Sequence, residues 1–185
     1  YYSQDLDWAH PHGGGYTAGH TNRGPGEPKS EGMSWTNDWD FPDNAHKDYS
    51  ICFEEKIKPQ VRELLTQYGP LCLIWFDTPR TISPAQSREL ADMVHALQPD
   101  CLINSRIGNG MGDYQSLGDN QIPEGVLSGG LFETPATLND TWGYKSFDNN
   151  WKSADEVIAI RERLESRGIN YLLNVGPDYL GRIPA

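Results

Sequence analysis

The feature that most limits how this chain can fold is residues 71–76, where Leu71, Cys72, Leu73, Ile74, Trp75 and Phe76 form an unbroken apolar run between Pro70 and Pro79. A strand with one face in water alternates polar and apolar positions. A run apolar at every position is expected where both faces of a sheet are covered, as in parallel sheets. Helical patterns flank it. Over residues 46–68, Phe53, Ile57, Val61, Leu64, Leu65 and Tyr68 recur as one helix face ending at Gly69 and Pro70. Pro59 must kink that helix or begin its second part. After the run, Ser83 as N-cap, Pro84 in the first turn and Gln86 open a helix whose inner stripe is Leu90, Ala91, Val94 and Leu97, with Pro99 as its stop.

The same alternation continues along the chain. Residues 1–7, 101–104, 131–138 and 171–175 read as further strands, and Ser153 with Glu156 forms a capping box for a helix lined by Val157, Ile160 and Leu164 and ended at Gly168. Two long connections, residues 9–45 and 107–130, interrupt the order. The first carries Trp35, Trp39 and Phe41, read as packing or binding groups, and a Gly13-Gly14-Gly15 run read as flexible chain. Strands alternating with helices predict an α/β fold built on parallel sheets, and there is no repeat of solenoid type. At 185 residues, a single domain is expected.

Composition narrows the partners. Fifteen basic against 26 acidic residues leave a formal charge of −11, which argues against nucleic acid and against an anionic membrane surface. The longest apolar runs fall far short of the roughly 20 residues a membrane span needs. Cys52, Cys72 and Cys101 do not make a disulfide framework, and the two inside strand-like runs, Cys72 and Cys101, are expected to be small buried hydrophobes. His10, His12, His20 and His46 lack the i, i+4 spacing of a metal site, so neither a metal nor another cofactor is expected.

In parallel α/β folds ligands bind outside the carboxyl ends of the strands. Polar groups stand at five such ends: Asp7 with Trp8, Asp77, Asn104 with Ser105 and Arg106, Glu133, and Asn174. Any one of them reads equally as a cap or turn residue; five together point to a site. Two carboxylates converging among aromatic rings are what glycosidic cleavage requires. Six Trp and nine Tyr supply rings that stack on sugars, although an aromatic-rich core accounts for them as well.

Tyr1-Tyr2-Ser3 with Asp7-Trp8, Tyr68-Gly69 followed by Leu73-Ile74-Trp75-Phe76-Asp77, Ile103-Asn104-Ser105-Arg106, Gly112-Asp113-Tyr114, Trp142-Gly143-Tyr144 and Leu172-Leu173-Asn174-Val175-Gly176-Pro177 occur in this order. The ordered set resembles the α-L-fucosidases of glycoside hydrolase family 29 along the whole chain. That resemblance implies an eight-stranded β/α barrel, often distorted, and hydrolysis of terminal α-L-fucose with retention, with a fucosylated glycan as the partner.

Carried over by residue, the resemblance makes Asp77 the nucleophile, Trp75 and Trp142 sugar-contacting rings, Arg106 a hydrogen-bond donor to the sugar and Tyr1 the tyrosine that reaches the fucose. Core packing is the alternative for Trp75 and Trp142, and Tyr2 is the alternative to Tyr1. The acid/base position falls on Asp119, where a Glu is common; Glu133 is the rival, or else a carboxylate of the sugar pocket. Asp113 and Glu124 read as solvated loop groups.

The chain opens without an initiator Met, and the resemblance implies further barrel strands before Tyr1, so it is read as the C-terminal part of a catalytic barrel. A non-catalytic carbohydrate-binding barrel, or an inactive fragment of such an enzyme, is the alternative function. The sequon Asn139-Asp140-Thr141 points weakly to a secreted, periplasmic or lysosomal-type compartment rather than the cytoplasm.

Overall fold

The computed structural model describes residues 1–4, 9–13, 37 and 40–183. Asp7, Trp8, His20, Trp35 and Trp39, with Gly14 and Gly15, lie outside the described residues. The chain divides into two units, Tyr1–Asp113 and Tyr114–Ala185.

The first unit begins with strand β1, Tyr2–Ser3, and continues with helices α1, Tyr49–Cys52, and α2, Lys58–Gln67. Between the helices, Phe53–Ile57 winds as a wider π-turn, and Pro59, which has no N–H to donate, follows directly after it at the start of α2. Phe53, Ile57, Val61 and Leu65 are buried at intervals of four and form the inner stripe. Tyr68, the last member of the expected stripe, is exposed instead, and its hydroxyl donates to Glu63 Oε1 at 2.9 Å.

The apolar run after Gly69 is one extended segment that changes neighbours midway. It forms β2, Leu73–Ile74, and β3, Phe76–Asp77, with Trp75 between them. Helix α3, Pro84–Leu97, follows, opened by the Ser83 and Gln86 capping box, and leads to β4, Leu102–Ile103. Strand β2 pairs in parallel with β4, Leu73 beside Leu102, whereas β3 pairs in parallel with β1, Phe76 beside Tyr2. Phe53, Ile57, Ile74, Phe76, Leu90, Val94, Cys101 and Ile103 close the core between helices and strands. Cys72 departs from expectation: it is exposed at the bend that enters β2, before the segment passes under the helices.

The second unit contains β5, Gln115–Ser116, β6, Phe132–Thr137, helix α4, Ala154–Glu165, and β7, Ile169–Asn174. Its three strands are parallel, in the order β5, β6, β7. The connection 107–130 therefore holds a strand, too short and too polar to stand out in the sequence. Ser153 and Glu156 cap α4 as expected, and Gly168, at φ 71, takes the left-handed conformation that ends it. Parallel pairing throughout, with α3 and α4 as crossovers, bears out the α/β class. Among the described residues the strands form three separate sheets of two, two and three strands. No helix among them is long and apolar enough to cross a membrane.

Candidate active site

The exit of β3 gathers four of the expected residues. Asp77 is half-buried at the last position of that strand, and each carboxylate oxygen has its own donor. Tyr1 Oη donates to Oδ2 at 2.8 Å, and Arg106 Nη1 donates to Oδ1 at 3.1 Å. Trp75 is only 8% exposed. The ring of Tyr1 stacks against it, centroids 5.6 Å apart, and the Arg106 guanidinium carbon lies 4.7 Å from the Trp75 ring centre. A carboxylate is thus held by two donors beside an aromatic wall, and both donors also touch that wall. Tyr2 points the other way, against Phe76, with its hydroxyl donating to Gln60, so of the two tyrosines it is Tyr1 that lies beside Asp77.

Several backbone ties hold this geometry. Arg106 rides on a short 3₁₀ turn, Ser105–Ile107, that leaves β4 at Asn104. Buried Gln4, just after β1, donates from Nε2 to the carbonyls of Arg106 at 2.9 Å and Ile107 at 3.2 Å. Ser87 of α3 donates to the Ile107 carbonyl at 2.9 Å. Gly112 lies so close that a Cβ there would meet Ser105 Cα and N at 2.6 Å. Immediately after Asp77, Thr78 adopts φ 59, a region costly for a β-branched residue. Its hydroxyl bonds that of Ser3 at 2.9 Å.

Tyr1 carries a marked titration shift. Its phenol is pushed well above its ordinary value, first by withdrawal of the hydroxyl from water and then by the adjacent Asp77 charge.

In the second unit, Glu133 is 5% exposed on β6. It accepts hydroxyl hydrogen bonds from Ser116 at 3.1 Å and Tyr114 at 3.3 Å. Asp119 stands exposed in the turn after β5. Its neighbour Asn120, at φ 56, anchors the turn to β6: its N–H donates to the Pro135 carbonyl, and its Oδ1 accepts from Thr137 N at 2.9 Å. Trp142 lies on an exposed loop that the last block of the chain holds in place. Asn174 Nδ2 donates to the Trp142 carbonyl at 2.8 Å, and a Cβ at Gly176 would come within 2.8 Å of Tyr144 N.

Other expected residues gain partners. Asp113 is exposed in its loop, and its Oδ2 also accepts from Ile103 N at 2.8 Å and pairs with His95 at 3.0 Å, tying that loop to β4. Asn139 of the sequon is 3% exposed, and its Nδ2 donates to Asp148 at 2.8 Å. His10 pairs with Glu55, His46 with Asp43, and His12 Nδ1 accepts from Asp48 N. Among the described residues no group of three or more His, Cys, Asp or Glu side chains could hold a metal ion.

A family model described as alpha-L-fucosidase matches residues 1–185. The chain belongs to the alpha-L-fucosidase family. Alpha-L-fucosidase AlfC from Lactobacillus casei, solved with its alpha-L-fucose product, is 47% identical with a TM-score of 0.86, the match covering 99% of this chain and 54% of that one. AlfC solved with Fuca(1,6)GlcNAc is 47% identical with a TM-score of 0.85, over the same 99% and 54%. An alpha-L-fucosidase from a Vibrio species is 36% identical with a TM-score of 0.73, covering 80% of this chain and 27% of that one. The chain thus spans about half the length of the AlfC structures it matches. No curated protein matches it.

Proposed function

We propose that this chain carries the nucleophile side of a retaining α-L-fucosidase, its parallel strands belonging to a β/α barrel. The observation that carries this reading is Asp77 at a strand exit, held between Tyr1 and Arg106 beside the Trp75 ring. Asp77 attacks the anomeric carbon of the fucose. As that bond forms, the glycosidic C–O bond breaks and Asp119 gives its proton to the departing oxygen. Asp119, now a base, takes a proton from water, whose oxygen displaces Asp77 and regenerates the enzyme. Such a double displacement needs the two carboxyl groups roughly 5 Å apart.

Arg106 and Tyr1 fix the plane of the Asp77 carboxylate, which keeps the attacking oxygen in a near-attack orientation. Trp75, stacked by Tyr1 and lying against the Arg106 guanidinium, backs the site as its apolar wall. For the acid/base, exposure of Asp119 in a turn suits a group that must reach a glycosidic oxygen. The two hydroxyl donors on buried Glu133 suit a carboxylate that binds and orders. AlfC was solved with Fuca(1,6)GlcNAc, which supports α1,6-linked fucose on N-acetylglucosamine as the substrate to try first.

The decisive test is Asp77→Ala in the full-length enzyme. Turnover of an aryl α-L-fucoside should fall by about 10³-fold or more, and azide should restore product release as the β-fucosyl azide. Undiminished turnover would remove Asp77 from the reaction. Fucose binding by the wild-type enzyme without hydrolysis at any pH would favour the non-catalytic reading.

A further inference from the structure

We propose that Asn104 is a positioning residue that sets Asp77 against Arg106 by standing in, with its side-chain amide, for a missing rung of the sheet. The argument starts from the direction of backbone groups. In a parallel strand, alternate residues present their N–H and C=O to opposite neighbours. Along the segment 73–77, the carbonyls of Trp75 and Asp77 accept from Tyr2 N at 2.7 Å and Gln4 N at 3.2 Å, so these residues face β1. The Cys72 carbonyl accepts from Leu102 N at 3.0 Å, so Cys72, and with it Ile74 and Phe76, face β4.

The pairing of Ile74 with Ile103 would bring the Asn104 backbone carbonyl to the Phe76 N–H as the next rung. That carbonyl is already used. The chain leaves the sheet at Asn104, whose C=O accepts from Ile107 N at 3.2 Å to close the turn that carries Arg106. Phe76 would then be left with a buried donor and a buried acceptor and no strand to take them.

The Asn104 carboxamide takes both. Phe76 N donates to Oδ1 at 2.8 Å, and Nδ2 donates to the Phe76 carbonyl at 2.9 Å, with Asn104 completely buried. A carboxamide has the donor and acceptor of a peptide unit, so it continues the ladder by one residue while its own backbone turns away. Just beyond each partner stand the groups that matter: Asp77 is one residue past Phe76, and Arg106 is two residues past Asn104. Fixing Phe76 to Asn104 therefore fixes the Arg106 to Asp77 contact at 3.1 Å.

This role rests on Asp77 being the nucleophile, and the test separates the two. Asn104→Asp keeps the shape and the acceptor but, ionised, cannot donate to the Phe76 carbonyl. In the full-length enzyme at neutral pH its kcat should fall by about 100-fold, the usual effect of misplacing a reacting group by an ångström, with KM within about threefold. Protonation of the new carboxyl returns an O–H donor, so the variant-to-wild-type ratio of kcat should climb as pH falls from about 8 to 5. A kcat within twofold of wild type overturns the proposal. So does a loss that stays constant with pH, which packing alone would give. Should the variant fail to fold, the wild-type enzyme decides: the Phe76 amide must resist hydrogen exchange as the Leu102 ladder amide does, and fast exchange at Phe76 overturns the clamp. If azide fails to rescue Asp77→Ala while Phe76 remains protected and the Asn104→Asp ratio still climbs, the nucleophile assignment falls and the clamp stands.

Discussion

Tyr1 and Asp77, 76 positions apart, are joined by a 2.8 Å hydrogen bond from phenol to carboxylate, and the same tyrosine stacks on Trp75 two residues before that aspartate. The bond restrains one oxygen of the proposed nucleophile, leaving Arg106 to restrain the other.

Tyr1→Phe keeps the stack and removes only the hydroxyl. A donor to a charged acceptor contributes about 1.5 kcal/mol or more, so kcat/KM should drop roughly tenfold. Steady-state kinetics on an aryl fucoside check this.

The raised phenol pKa has a further consequence with a definite sign. The folded form holds the Tyr1 proton more tightly than the unfolded chain, whose tyrosines titrate near 10. The associated stability is complete below about pH 10 and is lost above it. Thermal denaturation should show Tyr1→Phe losing less stability than wild type between about pH 9.5 and 11; equal slopes would contradict the raised phenol pKa.

Arg106→Lys tests geometry against charge. Lysine keeps the positive charge but neither the planar fork that meets Asp77 nor the flat group 4.7 Å from the Trp75 ring centre. The expected loss in kcat is at least about tenfold, with the melting temperature little changed, as read from kinetics and calorimetry.

Asp119 and Glu133 separate by leaving group. If Asp119 supplies the proton, Asp119→Ala should slow release from Fuca(1,6)GlcNAc by about 100-fold or more and affect a nitrophenyl fucoside, whose leaving group needs little protonation, far less. Glu133→Gln should weaken both substrates alike, because it alters a carboxylate bonded by Ser116 and Tyr114 and not the departing oxygen. The reverse pattern would exchange the two roles.

Gly112→Ala probes the support of Arg106. The added Cβ would stand 2.6 Å from Ser105 N and Cα, both backbone atoms that cannot rotate aside. The turn must shift, at a cost of about 1–3 kcal/mol in stability, with a loss of activity exceeding that of a distant variant of equal melting temperature.

Much of the architecture was legible because it depends on neighbours in the chain. An apolar run between prolines makes a buried strand, and Ser83 with Gln86 and Ser153 with Glu156 make capping boxes, since in each case the groups that bond or bury are within a few residues. The strand Gln115–Ser116 escaped notice because two polar residues carry no periodicity; only a place beside Phe132 and Glu133 makes them a strand.

The sequence by itself determined which residues cover a buried parallel strand, where its helices start, and that a carboxylate follows its last apolar residue. Tertiary structure alone decided that the strand changes partners at Trp75, that Asn104 completes the ladder Phe76 would lack, that Cys72 faces out and that Asn139 is sealed inside. Apart from the exposure of Cys72, each of these depends on a backbone group or side chain meeting a partner 9 to 74 positions away. No local pattern records such a meeting, because what selects it is the cost of leaving a buried donor, acceptor or charge unpaired once the whole chain has closed around it.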